Sequence, residues 1–146
     1  MSFRDAGVEA TRVQCEAARP DESTAVRASA GSGKTRTLVD RFLRLCVEGE
    51  HNDVHPRSIL AITFTRKAAT GIREKLLQRA RKLALASPEE RRADLAQLFA
   101  HRDPPAPLPA ELDRAARLFE RLLEDPAGLQ VGSIHSFCQR SLARFA

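Results

Sequence analysis

Ala28-Ser29-Ala30-Gly31-Ser32-Gly33-Lys34-Thr35 is the stretch on which the fold of this 146-residue chain turns. It fits the phosphate-loop spacing G-x-x-x-x-G-K-[ST], with Ala28 in place of the first glycine. Each residue type has a physical reason. Glycines let backbone N–H groups turn inward around phosphate oxygens, and a helix opening near Lys34 offers the positive end of its dipole. The Lys34 ammonium can reach the terminal phosphates and the Thr35 hydroxyl can ligate Mg²⁺, so the pattern calls for ATP and Mg²⁺. Lys34 and Thr35 are the expected catalytic pair, with Thr35 also the metal ligand. A glycine-rich turn that only caps a helix is the alternative, and the flanking sequence argues against it.

Working outward, residues 5 to 22 predict a short polar helix and a turn at Arg19-Pro20-Asp21-Glu22, and Ser23 to Ala28 predict a short strand entering the loop. Beyond it Leu38, Val39, Phe42, Leu45 and Cys46 recur at helical spacing up to Gly49. Ser58 to Phe64 is a nearly continuous apolar run that predicts a buried parallel strand. From Lys67 to Ala86 a helix is expected with Ala68, Ile72, Leu76 and Leu83 inward and a dense Arg/Lys face outward. Ser87-Pro88-Glu89-Glu90 should end that helix and start another, because Ser caps, Pro fits the first turn and acids suit the N-terminal dipole.

Asp103 to Pro109, with four prolines, predicts a stiff surface linker. A helix from Ala110 to Glu124 with Leu112, Ala116, Phe119 and Leu123 on one side follows, then a third strand at Leu129 to Gly132. Ile134, Phe137, Cys138, Ser141, Leu142 and Phe145 mark one face of a final helix. Alternating strands and helices argue for an α/β domain with a parallel sheet.

The net charge is +5, and it is not spread evenly. Residues 57 to 92 carry 10 basic and 3 acidic side chains, whereas both flanks are at −1. An anionic partner is one reading of this excess; the other is that Arg73, Lys75, Arg79, Arg81 and Lys82 form a solvated helix face. No apolar run approaches the ~20 residues of a membrane span. The opening Met1-Ser2-Phe3-Arg4-Asp5 lacks the apolar core of a secretory signal, so a cytoplasmic, non-membrane protein is expected. Cys15, Cys46 and Cys138 show neither disulfide nor zinc spacing and are expected as buried thiols.

Three blocks, in order, resemble the first motifs of superfamily 1 helicases, most closely the RecB/AddA branch of UvrD-like DNA helicases. Ala28 to Thr35 resembles their ASAGSGKT loop, Ile62 to Ala69 (ITFTRKAA) their motif Ia, and Val131 to Gln139 (VGSIHSFCQ) their motif Ib. Thr11-x-x-Gln14 resembles the glutamine motif that reads the adenine edge, an amide being able to donate and accept there; an exposed helical Gln is its alternative.

The resemblance implies a RecA-like P-loop NTPase domain with a parallel sheet, incomplete because only the first motifs are present, and carrying a helical insertion at 78–128 with the Pro-rich linker 103–109. It implies residues 1–146 as the N-terminal part of the ATP-binding domain. Its nucleotide-binding set is Gln14, Ala28, Ser29, Ala30, Gly31, Ser32, Gly33, Lys34, Thr35 and Arg36, with a helix-surface charge as the alternative for Arg36. Its single-stranded DNA set is Thr63, Phe64, Thr65, Arg66, Lys67, Ser133 and His135. Phe64 could lie near a base or pack as a core residue at a strand end. His135 could instead be a surface histidine at a helix start, and Phe137 and Cys138 are expected to pack.

The implied activity is ATP-dependent 3′→5′ DNA unwinding in double-strand break repair and recombination, beside a second helicase/nuclease subunit of AddB or RecC type. Gly71-Ile72 stands where the family usually has Glu-Met, and Ser133 where it has Thr. No apolar strand ending in paired acids is found; Leu122-Leu123-Glu124-Asp125 ends an amphipathic helix instead. The expectation is therefore an N-terminal fragment of a longer polypeptide, with any nuclease domain lying C-terminal to it. A module that binds ATP or DNA without turnover is the second reading; a small P-loop kinase would leave motifs Ia and Ib unexplained.

Overall fold

A computed structural model describes residues 12–27, 29, 31, 33–52 and 54–145. Residues 12–17 are helical (α1) and lead through a turn into an extended stretch at 23–27. Helix α2 (Lys34–Val47) begins on Gly33, whose φ of 84° is open to glycine at little cost. A 3₁₀ turn (Pro56–Ser58) precedes strand β1 (Leu60–Thr63), and α3 (Arg66–Leu85) starts where the Thr65 hydroxyl accepts from Ala68 N–H at 3.1 Å. Helix α4 (Pro88–Leu98) has the expected reciprocal cap. Glu90 N–H donates to Ser87 Oγ at 3.2 Å, and Ser87 N–H donates to the Glu90 carboxylate at 2.9 Å. Helix α5 (Pro109–Glu124) opens on its proline, with Leu108 N–H donating back to Glu111 at 2.8 Å. Strand β2 (Gln130–Ser133) and helix α6 (Ile134–Ala143) follow.

The two strands are parallel, in register from Leu60 beside Gln130 to Thr63 beside Ser133. A parallel pair needs a long crossover, and here α3, α4 and α5 supply it. The core lies mainly among the helices. Val39, Phe42, Leu43, Cys46 and Val47 of α2 meet Leu76, Ala80 and Leu83 of α3 and Ala115, Leu118 and Leu122 of α5, with Leu95, Leu98 and Phe99 closing one end.

The structure corrects several sequence expectations. The strand expected at Ser23 to Ala28 does not form over the described residues 23–27; the sheet has two strands among the described residues. Val26 is the one large apolar side chain there and it is exposed, so the stretch has little to bury by pairing. Strand β1 is parallel but not buried: Leu60 and Ile62 are more than 40% exposed, because among the described residues no element covers that face.

Helix α5 is rotated by one position from expectation. Glu111, Ala115, Leu118 and Leu122 face inward and Leu123 faces out, since buried Glu111 must reach Arg102. Helix α3 buries Ala69 rather than Ala68. The apolar stripe of α6 is exposed, from Phe137 to Phe145, as is Cys138, and Cys15 is half-buried; of the three thiols Cys46 is buried. No helix among the described residues is long and apolar enough to cross a membrane.

Two arginines expected on a solvated face are built into the fold. Arg73 donates to the backbone carbonyls of Pro126 at 3.1 Å and Leu129 at 2.9 Å, fixing α3 to the turn that feeds β2. Arg79 forms a two-pronged pair with Asp94 on α4, at 3.2 and 3.1 Å. Arg91 then closes the end of α3 by donating to Leu83, Ala84 and Ala86 carbonyls.

Candidate nucleotide and nucleic-acid site

The residues singled out by the sequence fall into two groups. The first surrounds the start of α2. Gly31 and Gly33 both have positive φ, 78° and 84°, so the backbone folds sharply into the helix. The Lys34 ammonium donates to the Ser29 carbonyl at 2.5 Å, closing the loop across its own mouth. The Thr35 side chain sits half-buried in the first turn. Among the described residues that turn holds neither an acidic residue nor a side-chain cap on Gly33, so the positive end of its dipole is not neutralised by a carboxylate of its own. Ala28, Ala30 and Ser32, expected in this group, and Thr11 lie outside the described residues.

Gln14 reaches this loop from α1. A Cβ built on Gly33 would meet the Gln14 side-chain nitrogen at 2.8 Å, so the amide lies directly against the helix start. Gly33 is therefore constrained twice, by its backbone angle and by the amide beside it. Arg36 is on the exposed side of α2 and pairs with Asp40 at 3.6 Å, which matches a helix-surface charge. Burial pushes the Asp40 carboxyl above its ordinary range, against the pull of Arg79 and Arg36.

The second group gathers at the ends of the two strands. Thr63 and Ser133 are neighbours across the sheet, and each strand runs into a helix, α3 capped by Thr65 and α6 capped by Ser133. Both helices lack an acid in the first turn, whereas α4 and α5 of the crossover carry Glu89, Glu90 and Glu111 there. Two positive helix ends thus open on one edge of the parallel pair, the edge at which ligands bind in open α/β sheets. A cleft of about 230 Å³ runs between them, lined by Arg66, Thr70, Arg73, Ser133, Ser136 and Arg140 among others.

Phe64 is 83% exposed, which rules out strand-end core packing. Arg66, Lys67 and His135 are exposed as well. Ser133 is different: its side chain is buried and its oxygen accepts from Ser136 N–H at 3.2 Å, so it serves the helix cap. Arg140 was missed by sequence reasoning. Its guanidinium lies 3.4 Å from where a Cβ on Gly132 would be, and glycine leaves it that room. The signal was its position one helical turn after Ser136, on the face that also follows from the Ser133 cap.

The donor sets fit their expected ligands to different degrees. A helix start with no acid in its first turn, two left-handed glycines and a lysine suits a polyphosphate. For a divalent cation the chain offers the Thr35 hydroxyl, and no group of three potential metal ligands occurs among the described residues. Such an ion would be held there chiefly through the nucleotide's own oxygens.

A buried charged network anchors α2 at its other end. Arg44 is fully buried and donates to Glu48 at 2.7 Å, while Arg102 donates to both Glu48 and Glu111. Burial opposes ionisation of Glu111, but Arg102 and the N–H groups of Gly49 and Leu108 outweigh it and hold the carboxyl below its usual range. His101 is shifted down, by burial first and then by the Arg44 charge.

Residues 10–146 match the family model described as UvrD/REP helicase N-terminal domain. An ATP-dependent helicase/nuclease subunit of Limosilactobacillus reuteri is 31% identical over 143 residues, covering 96% of this chain and 8% of that protein. Its namesake in Clostridium perfringens strain 13 is 47% identical over 51 residues, 35% of this chain and 4% of its own length. The ATP-dependent DNA helicase PcrA of Staphylococcus aureus strain Mu50 is 45% identical over 64 residues, 43% of this chain and 8% of its own. No solved structure matches. The chain spans less than a tenth of the length of these curated relatives. By the family match over nearly all of its residues, the chain belongs to the UvrD/REP helicase N-terminal domain family.

Proposed function

We propose that this chain is the ATP-binding opening part of a RecA-like helicase domain of the RecB/AddA branch, working within a longer polypeptide that unwinds DNA in double-strand break repair. The observation that carries the reading is Gln14 lying against Gly33 at the start of α2, whose first turn holds no acid, with Lys34 beside it. There the α2 N–H groups and the Lys34 ammonium hold phosphate oxygens, and the Gln14 amide pairs with the adenine edge. Magnesium, when bound, neutralises charge on the phosphates. At the strand ends, Thr63, Thr65, Arg66 and Lys67 take DNA phosphates and exposed Phe64 offers its ring to a base, with His135 and Arg140 on the α6 side. Ser133 holds the α6 start in place for them.

Two of the relatives are named as one subunit of a helicase/nuclease, which supports a second helicase/nuclease chain in the role of partner. A second reading, binding of ATP and single-stranded DNA without turnover, is favoured by one observation: Leu122 to Glu124, the nearest candidate for a carboxylate-ended strand, is the last turn of α5. ATP hydrolysis with and without a single-stranded oligonucleotide separates the two. Turnover that rises with DNA supports the motor reading, and binding without turnover selects the second. Oligonucleotide affinity should fall steeply with salt, with a log–log slope that drops by about 1 on Lys67→Ala. Salt-insensitive binding refutes the DNA site.

A further inference from the structure

Gln14 lies in the described part of α1, residues 12–17, and the segment that carries it is tied to the rest of the chain by hydrogen bonds to its backbone carbonyls. The ties come from α2, the helix whose first turn forms the phosphate site. Arg44, fully buried, donates through one guanidinium nitrogen to the Cys15 carbonyl at 2.7 Å, while its others meet Glu48 and His101. One turn earlier, Arg41 spans two carbonyls of the same segment, donating to Arg19 O and, at 2.6 Å, to Glu22 O. Between these two tethers Ala18 is packed away from solvent. The carbonyls bonded by Arg41 and Arg44 belong to the residue after Gln14 and to the turn that ends its helix.

We propose that Arg41 and Arg44 are positioning residues for base recognition, fixing Gln14 at a set distance from the phosphate loop because both ends of the site are mounted on the one helix α2. The proposal rests on the nucleotide reading above. Backbone carbonyls, rather than side chains, are the acceptors in segment 15–22 for both arginines, so the tether depends on the α2 arginines and little on the identity of the tethered residues. Lys34 and Arg41 are seven residues apart, two turns or roughly 10 Å along the helix. Loss of the tether should free Gln14 and leave the phosphate loop intact.

Arg44 is the riskier residue to change, since it is fully buried and also bonds Glu48 and His101, so Arg41 carries the test. The full chain, Arg41→Ala and Arg41→Lys are titrated with ATP, with GTP and with inorganic tripolyphosphate, which has phosphates but no base; helical content is followed by circular dichroism. Arg41→Ala should weaken ATP by about tenfold, the usual worth of a two-bond base contact, and leave tripolyphosphate within about twofold. Arg41→Lys, which keeps a charge and donors for the carbonyls, should recover part of the loss and serves as the readout if the alanine variant loses helix. Gln14→Ala should give the same split, and the double variant Gln14→Ala/Arg41→Ala no further loss.

Equal weakening of ATP and tripolyphosphate by both Arg41 variants, no weakening by either, or additive losses in the double variant would each overturn the proposal. If Lys34→Ala leaves ATP binding intact, the nucleotide reading itself has failed. If Lys34→Ala and Gln14→Ala behave as stated and the Arg41 variants do not, the positioning role alone has failed.

Discussion

Gly33 is constrained by two separable effects, and a pair of substitutions separates them. Gly31 and Gly33 have nearly the same φ, 78° and 84°, so Gly31→Ala and Gly33→Ala should each carry the cost of a left-handed non-glycine residue, roughly 1–2 kcal/mol. Around Gly31 a Cβ meets nothing within 4 Å, whereas at Gly33 it would meet the Gln14 nitrogen at 2.8 Å. Gln14 is a flexible side chain and can swing aside, which adds about 0.5–1.5 kcal/mol if it leaves a favoured rotamer. Urea unfolding should therefore rank Gly33→Ala below Gly31→Ala. With a slope of about 2 kcal/mol/M, the gap in midpoint is a few tenths of a molar. The decisive readout is ligand preference. Gly31→Ala should keep the preference for ATP over tripolyphosphate, and Gly33→Ala should lose it because the amide has moved. Equal loss of preference in both variants would refute the assignment of Gln14 to the base.

The remaining predictions concern thiols, a buried tether and pH. Burial pushes the Cys46 thiol up to about 12, so at neutral pH a maleimide should label exposed Cys138 quickly and Cys46 only once the chain is unfolded, as peptide mapping would show. Arg73→Met removes the donors from Pro126 and Leu129 carbonyls and should cost about 1–3 kcal/mol in urea unfolding, with little change in ATP affinity. His101 and Glu111 are both shifted down in the folded chain, so the unfolded chain binds their protons first and stability decreases as pH is lowered. The His101 contribution is lost as pH drops below its ordinary 6.5, and the Glu111 contribution as pH falls below 4.5 and through its lowered folded value. The urea midpoint should drop between pH 7.5 and 5.5, by less in His101→Gln; an equal drop in the variant excludes His101 as the source.

Local chemistry made some elements legible. Ser87-Pro88-Glu89-Glu90 announces a helix start because the hydroxyl, the ring and the carboxylates each satisfy a need of the first turn, and the structure has that cap. Glycines before Lys34 announce a loop with positive φ, and Gly31 and Gly33 have it. What periodicity could not give was the choice between near-equivalent faces. In α5, Leu112, Ala116 and Phe119 alternate with Ala115, Leu118 and Leu122 closely enough that either stripe could face in; the Glu111–Arg102 pair decides it. The expected strand does not form over the described residues 23–27 for a related reason, since a strand with one large apolar residue depends on neighbours that its own sequence does not specify.

The arginines were the hardest to read. Arg41, Arg44, Arg73 and Arg91 look like surface charge in a basic sequence, yet each donates to backbone carbonyls exposed by a turn or a helix end. Those acceptors exist only once the chain has folded, so no spacing rule points to them. In the candidate site the same limit applies to Arg140, whose place beside Gly132 depends on how α6 leaves the sheet. The exposure of Phe64 also could not be foreseen, because an apolar run ending in Phe reads equally well as a buried strand.

Whether the loop from Ser29 to Thr35 holds the phosphates of ATP is decided by calorimetric titration of Mg·ATP into the full chain and into Lys34→Ala. Binding to the full chain should be saturable, and lost in Lys34→Ala while the thermal melt stays unchanged. ATP affinity that survives unaltered in Lys34→Ala would contradict it.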